Sequence, residues 1–215
     1  MPKILFCGDP HGDLSRTIHE VIEHRPDATI LLGDITPRAP LHVALEIVND
    51  LTQFWWIPGN HDTDSEEHYD NLFESEWSHR NLHGCVATIA GLRVAGLGGV
   101  FRGKVWDGIE PAQYQSPEEF MAQIGRGNRF RDGLTLRHRS TIFPSTFDRL
   151  AAQRADVLVT HEGPDHCHNG NPALTRLAEQ LKVRAAFHGH HHQNIAYEDT
   201  VWRQVGSEDT FLFEY

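Results

Sequence analysis

Apolar residues along the chain follow two rhythms. Short continuous apolar runs of strand length fall at 3–8, 28–32, 53–56, 157–160 and 185–187. Between them, helical spacing places Leu14, Ile18, Val21 and Ile22 on one face of residues 14–24. The same spacing places Leu41, Ala44, Leu45 and Val48 on one face of a helix over 41–51. Residues 86–89 and 92–96 read as a hairpin about Ala90-Gly91. Ser145 is expected to cap a helix to about 155, and Asn171-Pro172 to open another to about 181. Residues 195–213 alternate as two or three antiparallel strands would. Strands alternating with helices imply parallel strands with helices on the sheet faces. The strand ends would then converge on one edge.

Between 100 and 140 the rhythm is lost. One short helix is signalled there by Ser116, Pro117, Glu118 and Glu119. Arg102, Lys104, Arg126, Arg129, Arg131, Arg137 and Arg139 give the stretch a basic excess in an otherwise acidic chain. A long segment of this kind inside a compact domain is expected to be a lid or a binding loop, with a solvated insertion as the alternative. The whole of 1–215 is read as one domain carrying this possible insertion.

Composition adds three constraints. Hydrophobic content of 39% and charged content of 23% describe a globular protein. A net charge of −11 disfavours a surface that coats nucleic acid. Cys7, Cys85 and Cys167 are widely spaced and form no C-x-x-C pair. That argues against a disulfide framework or a thiolate zinc site, and a reducing cytoplasm is the expected location. The first apolar run is too short for a signal peptide, and no run approaches membrane-spanning length.

The 16 histidines matter by position. Five strand ends carry candidate ligands: Asp9 with His11, Asp34, Asn60 with His61, His161, and His190 with His192. Divalent metals of hard or borderline character take such a mixture of carboxylate, imidazole and carbonyl oxygen. Asp-x-His and His-x-His project alternate residues of an extended segment the same way, so each can serve one centre. The donors exceed what one ion needs, and two ions sharing a carboxylate would use them all. His188 is expected in the core. His166 and His168 belong to a polar loop, His138 to the surface, and His19, His24 and His42 to solvated helix faces. Trp55 and Trp56 read as core strand residues.

Asp9-Pro10-His11-Gly12, Gly33-Asp34, Gly59-Asn60-His61-Asp62, Thr160-His161 and Gly189-His190-His191-His192 resemble, in order, the five motifs of the calcineurin-like metallophosphoesterases. The resemblance implies a four-layer α/β/β/α sandwich of two mixed sheets flanked by helices. It implies a binuclear centre, with Asp9, His11, Asp34 and His192 on one ion and Asp34, Asn60, His161 and His190 on the other, Asp34 bridging. Manganese leads the expected metals, with iron, zinc, nickel or cobalt as alternatives. His191 would point away, and His61 would act as general acid or transition-state stabiliser. A metal-bridging hydroxide would attack a phosphomonoester or phosphodiester.

The stretch from Gly33 to Pro40 is similar to the extended second motif of phosphoprotein phosphatases and symmetrical dinucleoside-tetraphosphate hydrolases. There the position of Arg38 binds phosphate, while Pro37 replaces an Asp that orients the catalytic His. Arg38, Arg137 and Arg139 are the expected substrate-binding residues, for a small phosphorylated substrate or nucleotide. A nucleotide or dinucleoside-polyphosphate hydrolase is the alternative enzyme. A non-catalytic protein-binding scaffold is the alternative of another class. Asp62, adjacent in sequence, is the candidate to orient His61 in place of the missing Asp.

Overall fold

A computed structural model describes residues 1–215. Strands β1 (Lys3–Gly8), β2 (Ala28–Leu31) and β3 (Gln53–Trp56) pair in parallel, in chain order. The second sheet runs β4 (Cys85–Ile89), β5 (Leu92–Leu97), β6 (Val157–Thr160), β7 (Ala185–His188), β9 (Trp202–Gln204) and β8 (Ile195–Ala196). Its central strands β5, β6, β7 and β9 are parallel, and its two edges are antiparallel.

The twofold period of a strand builds the layers. Ile4 and Phe6 of β1 and Ile30 of β2 face inward against Val94, Val157, Val159 and Phe187 of the other sheet. The rings of Phe6 and Phe187 stack 3.8 Å apart across the gap. The alternate residues Leu5 and Cys7 point the opposite way. They meet Val21 of α1 (Ser15–His24), Leu41 of α2 (Leu41–Ala44) and Leu72 of α3 (Glu66–Phe73). On the far side, Leu158 and Ala186 pack with Phe147 of α5 (Pro144–Ala151) and with Leu174 and Leu177 of α6 (Pro172–Leu181). Three apolar interfaces thus separate four layers, as expected from the resemblance.

Several local expectations are corrected. The helix expected over 41–51 is only one α-turn, followed by a 3-10 helix at Glu46–Leu51, because Leu45 leaves helical geometry at φ −113°. Ile22, expected inward, is on the solvent side of α1. Pro144 rather than Ser145 opens α5, and the Ser145 amide is instead spent on the Gln115 carbonyl. Helix α3 was not anticipated, although Ser65 caps it through the His68 amide and Glu66 and Glu67 occupy its first turn. The C-terminal strands do not form one antiparallel unit. Trp202–Gln204 pairs in parallel with β7, whereas β10 (Asp209–Glu214) crosses to the first sheet and runs antiparallel to β1.

The 100–140 segment has an apolar anchor of its own. Ser116 caps α4 (Pro117–Gln123) as expected, and Phe120 from that helix packs with Val105 and Phe143. A 3-10 turn at Leu136–Ser140 returns the segment to the strand ends, where Ser140 Oγ lies 2.7 Å from Thr63 Oγ1.

The inter-sheet contact gives the first prediction. Phe6→Ala should cost about 3–5 kcal/mol, and Phe6→Leu distinctly less, as read by urea denaturation. A loss for the alanine variant below about 1 kcal/mol would contradict the packing described.

Candidate metal centre

The parallel strands deliver their carboxyl ends to one rim, where both sheets meet. Asp9 follows β1, Asp34 lies beyond β2, Asn60 and His61 lie beyond β3, His161 follows β6, and His190 and His192 lie beyond β7. The backbone there is not extended. Asp9, His11, Asp34, His190 and His192 all have positive φ, between 34° and 70°. Non-glycine residues pay for such conformations, and clusters of them mark sites that the surrounding structure over-determines. The extended projection expected for Asp-x-His and His-x-His is therefore corrected: left-handed turns aim these side chains. Asp9 and His11 do serve one cluster, but His190 and His192 part company.

Two groups of donors result. In one, ligand atoms of Asp9, His11 and His192 lie within 4.8 Å of one another. His11 Nε2 is 3.4 Å from His192 Nε2, which in turn is 3.8 Å from Asp9 Oδ2. In the other, Asp34, His161 and His190 meet the same distance limit. His161 Nε2 is 3.4 Å from Asp34 Oδ2 and 3.2 Å from Asn60 Oδ1. All seven expected ligand residues are thus gathered at the rim. The ring of His191 packs beside those of His188 and His190, outside both groups.

The buried charges are individually supported. Asp9 Oδ2 accepts the His190 amide at 2.6 Å, while Asp9 Oδ1 is buried with no hydrogen-bond partner. Burial pushes the Asp9 carboxyl up to about 6, against the pull of His161. Asp34 Oδ1 accepts the His61 amide at 2.8 Å. Burial would raise the Asp34 carboxyl, but His161 and that amide hold it below the usual carboxylate range. His161 is pulled down by burial, yet Asp34, Asp9 and the bond to Leu32 carry it up to about 10. Its Nδ1–H donates to the Leu32 carbonyl at 2.8 Å, which leaves Nε2 for a ligand role.

These residues fit divalent cations. A buried carboxylate oxygen without a partner needs a counter-charge. The imidazole nitrogens around it are donors of the kind such ions take. Close approach is permitted by Gly33 and Gly59. A Cβ on Gly59 would sit 2.2 Å from Asp34 Oδ1, and one on Gly33 would sit 2.5 Å from His161 Nδ1. A third acidic group, His19, Glu20 and Glu23, consists of neighbours one turn apart on α1 and is explained by surface pairing.

Asp62 does not orient His61. Its carboxylate is fully buried and accepts two amides, Gly59 at 2.7 Å and Thr36 at 2.8 Å, tying the second and third loops together. Burial and the nearby Asp34 raise it to about 6. The partner of His61 is Asp64, whose Oδ2 is 2.6 Å from Nδ1. Burial lowers the His61 imidazole, but the bond to Asp64 and the charge of Asp34 raise it overall. Asp64 was missed by the motif reading, although its position three residues on, across a 3-10 turn, was the available signal.

The expected substrate arginines separate. Arg38 is exposed, with its guanidinium over Gly12 at the rim. Arg137 lines a cavity with Asn60 and His61. Arg139 is turned away, donating to Tyr69 Oη and to the Phe130 carbonyl, each at 3.0 Å. His138, expected at the surface, is buried against Thr141 and Phe120. His42 is likewise half-buried on Ser75.

The Asp62 contacts give a second prediction. Asp62→Ala leaves two amides without their acceptor, at about 1–3 kcal/mol each where they stay dry. The denaturation midpoint should fall, and manganese titrated by calorimetry should bind more weakly. Unchanged stability and metal affinity would refute the tie between the loops.

Comparison with known proteins bears on the family and the fold. The family model described as calcineurin-like phosphoesterase matches residues 2–194. An uncharacterized protein of Haemophilus influenzae is 39% identical over 194 residues, covering 90% of this chain and 85% of its own length. The crystal structure of TT1561 of Thermus thermophilus superposes with a TM-score of 0.59 at 17% identity, covering 96% of this chain and 89% of that one. The calcineurin-like phosphoesterase YfkN of Bacillus subtilis does so with a TM-score of 0.53 at 13% identity, covering 96% and 81%. At these identities the two structures establish the fold. The family match spans all five loops that gather the donors, and the chain belongs to the calcineurin-like phosphoesterase family.

Proposed function

We propose that the protein is a binuclear metal-dependent phosphoesterase that hydrolyses phosphomonoesters or phosphodiesters. The observation that carries this reading is the pair of adjoining donor groups, Asp9, His11 and His192 beside Asp34, His161 and His190, with Asn60 next to the second. Asp9, His11 and His192 would hold one ion. Asn60, His161 and His190 would hold the other, and Asp34 would be shared. Two divalent cations held there, manganese foremost, would supply charge neutralisation at the phosphoryl oxygens and acidification of water.

The chain's own groups then have separate tasks. Buried carboxylates and imidazoles would hold the cations at the meeting of the two sheets. His61 has Nδ1 engaged by Asp64, so Nε2 is the nitrogen that can donate to the leaving oxygen. Its backbone amide is bonded to Asp34, which fixes the ring's position relative to the shared carboxylate. Asp64 acts through His61 and is a positioning residue. The cavity bounded by Asn60, His61, Asp64, Arg102 and Arg137 is about 500 Å³, enough for a small ester. A full donor set together with His61 favours catalysis over a scaffold role.

The test is hydrolysis of p-nitrophenyl phosphate and bis(p-nitrophenyl) phosphate by protein stripped of metal and reloaded with manganese. Turnover of one or both is expected, and none from folded, metal-loaded protein would refute the reading. His61→Ala should lower kcat by about 10²–10⁴-fold and keep its manganese. The deficit should grow with alkyl phosphates, whose leaving groups need the proton more. Asp64→Asn should lower kcat by about tenfold with little change in KM, and the same leaving-group trend should appear. An equal deficit for good and poor leaving groups would remove His61 from the proton-donating role.

A further inference from the structure

The basic residues of the 100–140 segment fall into two kinds. Some are neutralised or spent within the protein. Arg131 is held bidentately by Asp70 at 2.6 and 2.8 Å, with Glu66 and Glu74 nearby. Arg129 donates to the Met121 carbonyl, and Arg139 is committed to Tyr69 and Phe130. Arg102, Lys104 and Arg137 are set apart by where they lie: like Arg129 and Arg139 they form no ion pair with a carboxylate, but they face one open space. All three line one cavity of about 720 Å³, together with His138 and Phe120, and no Asp or Glu is among its lining residues.

This cavity adjoins the candidate metal centre. Arg102 and Arg137 also line the smaller cavity that contains Asn60 and His61, so the two spaces share a wall. Arg102 is half-buried and braced, with Nε donating to Thr141 Oγ1 at 3.1 Å and Nη2 to Ser140 Oγ at 3.3 Å. The two nearby carboxylates are already engaged: Asp64 by His61, and Glu162 by the Phe101 amide at 3.1 Å. The crowding of like charge is felt within the cavity. Burial first, then Arg102, Lys104 and Arg137, push His138 down to about 4. Gathering cations without counter-ions costs free energy in the free protein, and a bound polyanion offsets it. The volume exceeds what one phosphate needs and suits a molecule of nucleoside size.

We propose that this cavity binds a second phosphoryl group of the ligand, so that the substrate is a phosphate ester whose leaving group is itself phosphorylated. The scissile end rests on the phosphoesterase reading above; the distal end rests on Arg102, Lys104 and Arg137. In the reaction, water supplies the oxygen that joins phosphorus and the P–O bond to the leaving group breaks. The leaving oxygen takes a proton, giving inorganic phosphate and an alcohol that keeps its second phosphate.

Adenosine 3′,5′-bisphosphate, adenosine 3′-monophosphate and adenosine 5′-monophosphate are the probes. With manganese-loaded protein, kcat/KM for the bisphosphate should exceed that of both monophosphates by about tenfold or more. Lys104→Ala, at an exposed position, should bring the ratio toward one. Independently, calorimetry on metal-free protein should show bisphosphate binding that Lys104→Ala weakens about tenfold. Equal turnover of mono- and bisphosphate, with binding indifferent to Lys104, would overturn the distal site while the phosphoesterase reading stands. Lys104-dependent binding with no ester hydrolysed would support the distal site and sink the phosphoesterase reading. Neither binding nor turnover would sink both.

Discussion

Two carboxylates, Asp9 and Asp34, are buried where the two sheets meet, and much else in the molecule answers to them. Taking a carboxylate out of water is tolerated only with compensating charge and hydrogen bonds. The compensation here comes from separate parts of the chain. The His190 amide reaches Asp9 from the last motif, the His61 amide reaches Asp34 from the third, and His161 faces both. None of these contacts is local in sequence. The parallel strands are what make them possible, because every carboxyl end arrives at one rim. The left-handed backbone at Asp9, His11, Asp34, His190 and His192 is the local cost of aiming those side chains inward.

A second level of organisation follows from the first. Asp62 ties the second and third loops by accepting amides from Thr36 and Gly59, which fixes the loop that carries His61. The 3-10 turn after that histidine then brings Asp64 onto its ring and Thr63 onto Ser140. Through Ser140 the 100–140 segment is docked beside the centre. Its helix α4 buries Phe120 against Val105 and Phe143, so Arg102 and Arg137 are carried on anchored backbone. The order of support runs from strands to buried carboxylates, then to His61, then to the basic cavity.

The alternation of strands and helices was legible because their periods are clear and the polar strand ends punctuate them, while the four-layer plan came from the family resemblance. The candidate ligand positions were legible as motifs, and the fold gathers their side chains at one rim in two donor groups. Other features turn on tertiary contacts that no local pattern carries. Asp62 next to His61 invited an orienting role, but three-dimensional pairing gave that contact to Asp64. Arg139 and Arg137 are two residues apart and share a composition signal. One is consumed by Tyr69 and Phe130, and the other opens onto a cavity. The crossing of Asp209–Glu214 to the first sheet was hidden for the same reason, since its alternation does not say which partner it finds. Helix α3 did carry a readable cap at Ser65, which the nearby motif overshadowed.

In the proposed centre Asp34 would be shared by two cations rather than held by one. Electron paramagnetic resonance of the manganese-loaded protein, with metal content measured on the same sample, tests it most directly. Two manganese ions per chain with an exchange-coupled multiline spectrum is the predicted result. One ion per chain with an uncoupled six-line spectrum would contradict the account.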